Sequence, residues 1–160
     1  MDNKVIDKFW MKEALKLAKI AYLSNEVPVG SVLVNSNNIM IGKGYNTSIN
    51  KNDPTAHAEI LAIRDGSFNL QNYRLLNTTL YVTLEPCIMC VGAIINSRIK
   101  RLVFSLKHFK NNKFSNNVST NLHRLINKNN ILVETGILKK DSLYLLSSFF
   151  KTKRKINSLL

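Results

Sequence analysis

The sequence predicts an α/β fold, a mixed five-stranded sheet flanked by helices, and three observations carry that prediction. β-like runs rich in Val, Ile, Thr and Leu alternate with helix-periodic runs, the first two strands read as a hairpin, and 160 residues with 45% hydrophobic content suffice for one core. No internal repeat or linker divides the chain, so residues 1–160 are read as a single domain with a basic C-terminal helix.

The elements follow in chain order. Residues 7–23 set Met11, Ala14, Leu15, Ala18, Ala21 and Tyr22 at three- and four-residue steps, with Lys12, Glu13, Lys16 and Lys19 pointing elsewhere, the pattern of an amphipathic cover helix. Pro28 and Gly30 interrupt. Strands over 29–35 and 39–46 flank the turn-rich Ser36-Asn37-Asn38. Asp53-Pro54-Thr55 supplies a helix start, with Asp53 as N-cap and Pro54 at the first helical position, and Gly66 supplies the stop. Residues 78–84 form a third strand, broken by Glu85-Pro86, and a short helix runs from Cys87 to about Asn96. A fourth strand covers 100–105. The polar, Asn-rich segment 106–121 reads as a loop, 131–134 as a short fifth strand, and 138–150 as a helix ending in Lys151-Thr152-Lys153-Arg154-Lys155.

Charge is unevenly spread. The chain carries 23 Lys+Arg against 10 Asp+Glu, a net +13, of which residues 98–160 hold fourteen basic and two acidic side chains. The 17 Lys and 21 Asn also fit the bias of an AT-rich genome, which would spread the excess more evenly. A one-sided positive field is the footprint expected of a polyanion binder, although a solvated face remains an equal reading on charge alone. The longest apolar run, 27–34, is far short of the ~18–20 residues of a membrane span. Two acids and two Lys within the first eight residues speak against export, which leaves the cytoplasm.

The chemistry is concentrated in four residues. Cys87 and Cys90, the two cysteines of the chain, lie one helical turn apart, too close and too few for a disulfide framework. With His57 they offer three ligands to one tetrahedral zinc, and three ligands leave the fourth position open, as in catalytic sites. Both ligand groups open helices, where the dipole favours thiolate and neutral imidazole. Glu59, about 200° round the helix from His57, is badly placed to be a ligand and well placed beside the bound water as general acid/base. Taken singly, His57 is more often a structural or surface histidine, Glu59 a solvated helix residue, and the cysteine pair sometimes a redox motif. Taken together, His-x-Glu followed by Pro-Cys-x-x-Cys is the zinc deaminase signature.

At this point the sequence resembles the bacterial tRNA-specific adenosine deaminases. The resemblance is carried by Asp53-Pro54-Thr55-Ala56-His57-Ala58-Glu59-Ile60, Asn72-Tyr73-Arg74-Leu75, the run from Leu80 to Cys90, and Gly92 to Ile99. It implies a cytidine-deaminase-like three-layer sandwich, a homodimer, one zinc per subunit on His57, Cys87 and Cys90, and a tRNA anticodon loop as partner. It further implies zinc-activated water attacking C6 of a flipped adenine at wobble position 34, with Glu59 as proton shuttle and Asn46 hydrogen-bonding the base. The arginine tRNA with anticodon ACG is the substrate most relatives would suggest.

Some features depart from the family pattern. Residues 105–112 carry His108 where the family has an acid and lack its glycines, Lys128-Asn129 replaces Asn-His, and Asp141-Ser142 replaces Glu-Cys. Phe149 and Phe150 are read either as stacking partners for a base or, more commonly for such pairs, as core or dimer contacts. His108 and His123 are read as surface residues. Two rival functions stand beside the leading one: a deaminase of free bases or nucleotides, and a zinc-stabilised RNA-binding module without activity.

Overall fold

The computed structural model describes residues 3–107 and 123–157. Helix α1 (Asn3–Leu23) is followed by the hairpin β1 (Gly30–Val34) and β2 (Met40–Tyr45), the short helix α2 (Ser48–Lys51) and helix α3 (Ala58–Leu70). Strand β3 (Thr79–Leu84), helix α4 (Ile88–Asn96) and strand β4 (Arg101–Leu106) come next. A helical stretch over 123–128, α5, leads to β5 (Leu132–Thr135) and the long helix α6 (Lys139–Asn157). The expected loop around His108 lies outside the described residues.

The sheet has the order β2-β1-β3-β4-β5. β1 pairs antiparallel with β2 and β3, whereas β3–β4 and β4–β5 are parallel. Parallel neighbours need a crossover, and α4 and α5 supply them. Alternation along the strands divides the core in two. Val32, Val34, Tyr81 and Val103 face α1 and pack with Trp10, Met11 and Ala14. Leu33, Leu80, Val82, Leu102 and Phe104 face the other way and pack with Ala58 and Ala62 of α3 and Val91 and Ile94 of α4. The mixed sheet between helical layers is thus as expected, because a period of two sends successive side chains to opposite cores.

Across the α1 layer lies an ion pair joining residues 94 apart in sequence. Arg101 Nη1 and Nη2 each donate to the Asp7 carboxylate at 2.7 Å, and the Tyr81 hydroxyl donates to Asp7 Oδ1 at 2.9 Å. Asp7 is 2% exposed. Burial and the neighbouring carboxylate push the Tyr81 phenol well above its usual range.

Three local readings are corrected. Helix α3 is capped by His57 and not by Asp53. The Asp53 carboxylate instead accepts from the Thr55 N–H at 2.8 Å and the Thr55 hydroxyl at 2.7 Å, closing a separate turn that holds its pKa down. Gly66 does not stop the helix, which continues to Leu70 and ends on Gln71 in the left-handed region at φ 49°. Gly66 is there for contact: a Cβ on it would lie 2.5 Å from Leu33 Cδ2. The final helix runs on through the basic tail to Asn157. Phe149 is buried and meets Tyr22 edge-on at 5.9 Å, so it belongs to the packing of α6 on α1, while Phe150 is half-exposed.

Candidate active site

Two helix N-termini converge at the carboxyl end of β3, the usual location of ligand sites in sheets of this kind. The β3–α4 connection Glu85-Pro86-Cys87 cannot continue the strand, because Pro86 lacks the N–H that a ladder requires. Cys87 therefore becomes the N-cap of α4, and Cys90 follows one turn later. His57 is the N-cap of α3 in extended backbone conformation, φ −77° and ψ 153°, with no capping bond from its own side chain. Asn46, just beyond β2, supplies the missing acceptor: its Oδ1 takes the Ala58 N–H at 2.8 Å. His57 is left free to turn inward.

The three expected ligands meet. Cys87 Sγ and Cys90 Sγ each lie 3.6 Å from His57 Nδ1 and 3.6 Å from one another. Zinc bonded tetrahedrally at ~2.3 Å to sulfur and ~2.0–2.1 Å to nitrogen needs S···N edges of about 3.5 Å and an S···S edge of about 3.8 Å. The donor triangle fits zinc to within a few tenths of an ångström, and among the described residues it is the His, Cys and acid cluster with metal-binding geometry. The hydrogen bond between the two thiols holds Cys87 down at about 5 and pushes Cys90 up.

Glu59, on the second residue of α3, is 4% exposed. Burial is the main cause of its pKa rising to about 7, with the nearby Cys87 charge adding to the rise and the Glu59 N–H opposing it. Asn46, His57, Glu59 and Cys87 line one cavity of about 190 Å³, whose remaining walls are Val27, Val29, Leu84 and Glu85. Cys90 does not line the cavity but lies 3.6 Å from two residues that do, His57 and Cys87.

Sequence reasoning missed two polar residues here. Glu85 lines the cavity, is 6% exposed, and its Oε1 lies 3.2 Å from Nε2 of His123. His123 is thus no plain surface residue. Glu85 sits inside the Leu80–Cys90 run, which was legible as a motif, but its partner stands 38 residues later and no local pattern joins them.

The family model for the cytidine and deoxycytidylate deaminase zinc-binding region matches residues 4–106. The tRNA-specific adenosine deaminase of Buchnera aphidicola subsp. Baizongia pistaciae is 57% identical over 152 residues, 94% of this chain and 91% of the relative. That of Haemophilus influenzae is 48% identical, over 93% of this chain and 86% of the relative. A solved structure from studies of A-to-I editing by tRNA:A34 deaminases at the wobble position of transfer RNA has a TM-score of 0.74 at 35% identity, covering 86% of this chain and 99% of that one. With the donor triangle in place and this likeness running over nearly the whole chain, the protein belongs to the cytidine and deoxycytidylate deaminases and, within them, to the tRNA-specific adenosine deaminase family.

Proposed function

We propose that this protein hydrolyses adenosine to inosine at position 34 of a tRNA, the arginine tRNA with anticodon ACG being the expected substrate. The observation that carries the reading is the buried Glu59 carboxylate in one cavity with a three-ligand zinc site. A purely structural metal has no use for that carboxylate. When bound by His57, Cys87 and Cys90, zinc supplies a Lewis acid that makes water nucleophilic near neutral pH.

The chain's own residues do the rest. Glu59 takes one proton from the water that adds at C6 and delivers it to N1 of the purine; it then takes the second from the new C6 hydroxyl and passes it to the amino group, which leaves as ammonia when the C6–N bond breaks. Its burial keeps bulk water from the carboxylate, so the proton it accepts is returned to the substrate. Asn46 Oδ1 is committed to Ala58, which leaves its Nδ2 to donate to a ring nitrogen of the base. Val27, Val29 and Leu84 exclude water around the ring. At about 190 Å³ the cavity is smaller than the ~300–1,000 Å³ of typical small-molecule pockets and suits a single flipped base with its sugar outside.

The C-terminal charge suits an RNA backbone: Lys151 and Arg154 are exposed on α6, and Lys153 stands 5.4 Å over the Phe149 ring. A homodimer, as the family resemblance implies, is part of this reading. Its place of action would be the cytoplasm, with its tRNA. Among the described residues no helix is long and apolar enough to cross a membrane.

The test is a side-by-side assay of the purified zinc protein on tRNA bearing adenosine 34, free guanine, free cytosine and deoxycytidylate. Inosine at position 34, read as guanosine on sequencing, is expected, with the small molecules unconsumed. Unchanged adenosine 34 together with consumption of a free base would overturn the proposal in favour of a small-molecule deaminase.

A further inference from the structure

The mechanism above leaves a second buried carboxylate of the cavity without a task. Glu85 follows β3 directly, two residues before Cys87, lines the cavity beside Asn46, His57 and Glu59, and is 6% exposed. Its backbone N–H donates to the Leu106 carbonyl at 2.7 Å, so the main chain is anchored without the help of the side chain. A buried carboxylate is retained only when it is paired or hydrogen-bonded. One pairing of Glu85 leads outward, to Nε2 of His123 at 3.2 Å, and the His123 side chain is 38% exposed.

That contact decides which face of the imidazole is available. With Nε2 turned to Glu85, Nδ1 is the nitrogen left for another partner. His123 therefore stands one side chain from the cavity wall, with its second ring nitrogen not engaged by Glu85. A cavity that takes only a base leaves the sugars of the strand outside. A ribose 2′-hydroxyl both donates and accepts, so it can pair with Nδ1 in either protonation state of the ring, and it is the group that tells RNA from DNA.

We infer that Glu85 and His123 form a specificity device for RNA: Glu85 positions His123 so that its Nδ1 hydrogen-bonds a 2′-hydroxyl of the strand at or next to the flipped nucleotide. Glu85 is the positioning residue and His123 the contact. The inference rests on the proposed RNA reading and adds to it the group by which ribose is recognised.

His123→Gln separates the two nitrogens, because the glutamine amide reaches the place of Nε2 and can keep the Glu85 contact while nothing replaces Nδ1. The experiment compares wild type and this variant, both zinc-loaded, on an anticodon stem-loop that is all ribose. The same stem-loop is then used with a single 2′-deoxy substitution at position 33, 34 or 35. One deoxy substitution is expected to lower wild-type kcat/KM by about five- to tenfold, the effect of one net hydrogen bond. His123→Gln should lose the same factor on the all-ribose substrate and nothing further on that deoxy substrate, with unchanged zinc content and melting temperature. Equal deoxy penalties in both proteins would overturn the inference. So would loss of zinc or a lowered melting temperature in His123→Gln, which would make the pair purely structural. Absence of inosine from the all-ribose substrate with wild-type protein would defeat the underlying RNA reading instead, so the two failures are distinguishable.

Discussion

Gly44→Ala is expected to damage the metal site through the backbone, without touching a ligand. Gly44 lies on β2 directly under the start of α3. A Cβ there would collide with the Ala58 carbonyl oxygen and stand 2.7 Å from both Ala62 N and Leu61 Cβ, where ordinary contact begins at 3.4 Å. The helix must therefore retreat by at least about 0.7 Å, and backbone cannot yield as a flexible side chain can. His57 and Glu59 ride on that first turn. Zinc ligand distances tolerate about ±0.2 Å, and a 1 Å misplacement of catalytic groups costs on the order of 10²-fold. Overpacking of this kind also costs about 1–3 kcal/mol, or roughly 2–12 °C in melting temperature at this chain length. The assay is zinc content after dialysis, inosine formation and thermal unfolding of Gly44→Ala beside Gly42→Ala. Gly42 faces the middle and far part of α3, where an added Cβ would collide with the Ala62 carbonyl oxygen and stand 2.6 Å from Gly66 N. Both variants should melt lower, and only Gly44→Ala should lose zinc and activity steeply. Wild-type zinc and activity in Gly44→Ala, or equal zinc loss in the two, would refute the reasoning.

Other expectations concern the fold and the RNA surface. Asp7→Ala strands the Arg101 guanidinium and the Tyr81 hydroxyl, and breaking a buried pair costs about 3–5 kcal/mol. Denaturant unfolding should show that loss, with about 1.5–3 kcal/mol for Tyr81→Phe, and zinc should stay bound, since the pair lies in the α1 layer; a cost below about 1 kcal/mol for Asp7→Ala would contradict this. Affinity for an anticodon stem-loop, followed by fluorescence anisotropy, should fall about 20- to 40-fold between 50 and 200 mM salt if Lys151, Lys153 and Arg154 each contact one phosphate. A flat salt response would remove α6 from the RNA surface.

The site was more legible in the sequence than the packing that holds it. His57, Glu59, Cys87 and Cys90 could be read because zinc chemistry restricts residue types and a helix N-terminus restricts spacing, and both restrictions act over a few neighbours. The strands of the sheet were legible for a similar reason, as the short β-rich apolar runs in 78–84 and 100–105 are local signals. What escaped depends on contacts between distant segments. Gly66 looked like a helix stop because glycine commonly is one; only the approach of Leu33 shows that it is a slot for packing. Asp53 looked like a cap because Asp-Pro-Thr is a sound helix start, yet its carboxylate is used up by Thr55 and Asn46 takes over the first free N–H of α3. Asp7 with Arg101, and Glu85 with His123, are joined only by the fold.

The central claim, that Glu59 moves protons for a zinc-dependent deamination of adenosine 34, is tested most directly by Glu59→Gln. Zinc content and inosine formation should be measured on the same preparation. Zinc should remain near one per chain, because Glu59 is not among the three donors, while inosine formation falls by at least about 10²–10⁴-fold for want of the proton shuttle. Inosine formation at the wild-type rate by a zinc-loaded Glu59→Gln protein would contradict the account.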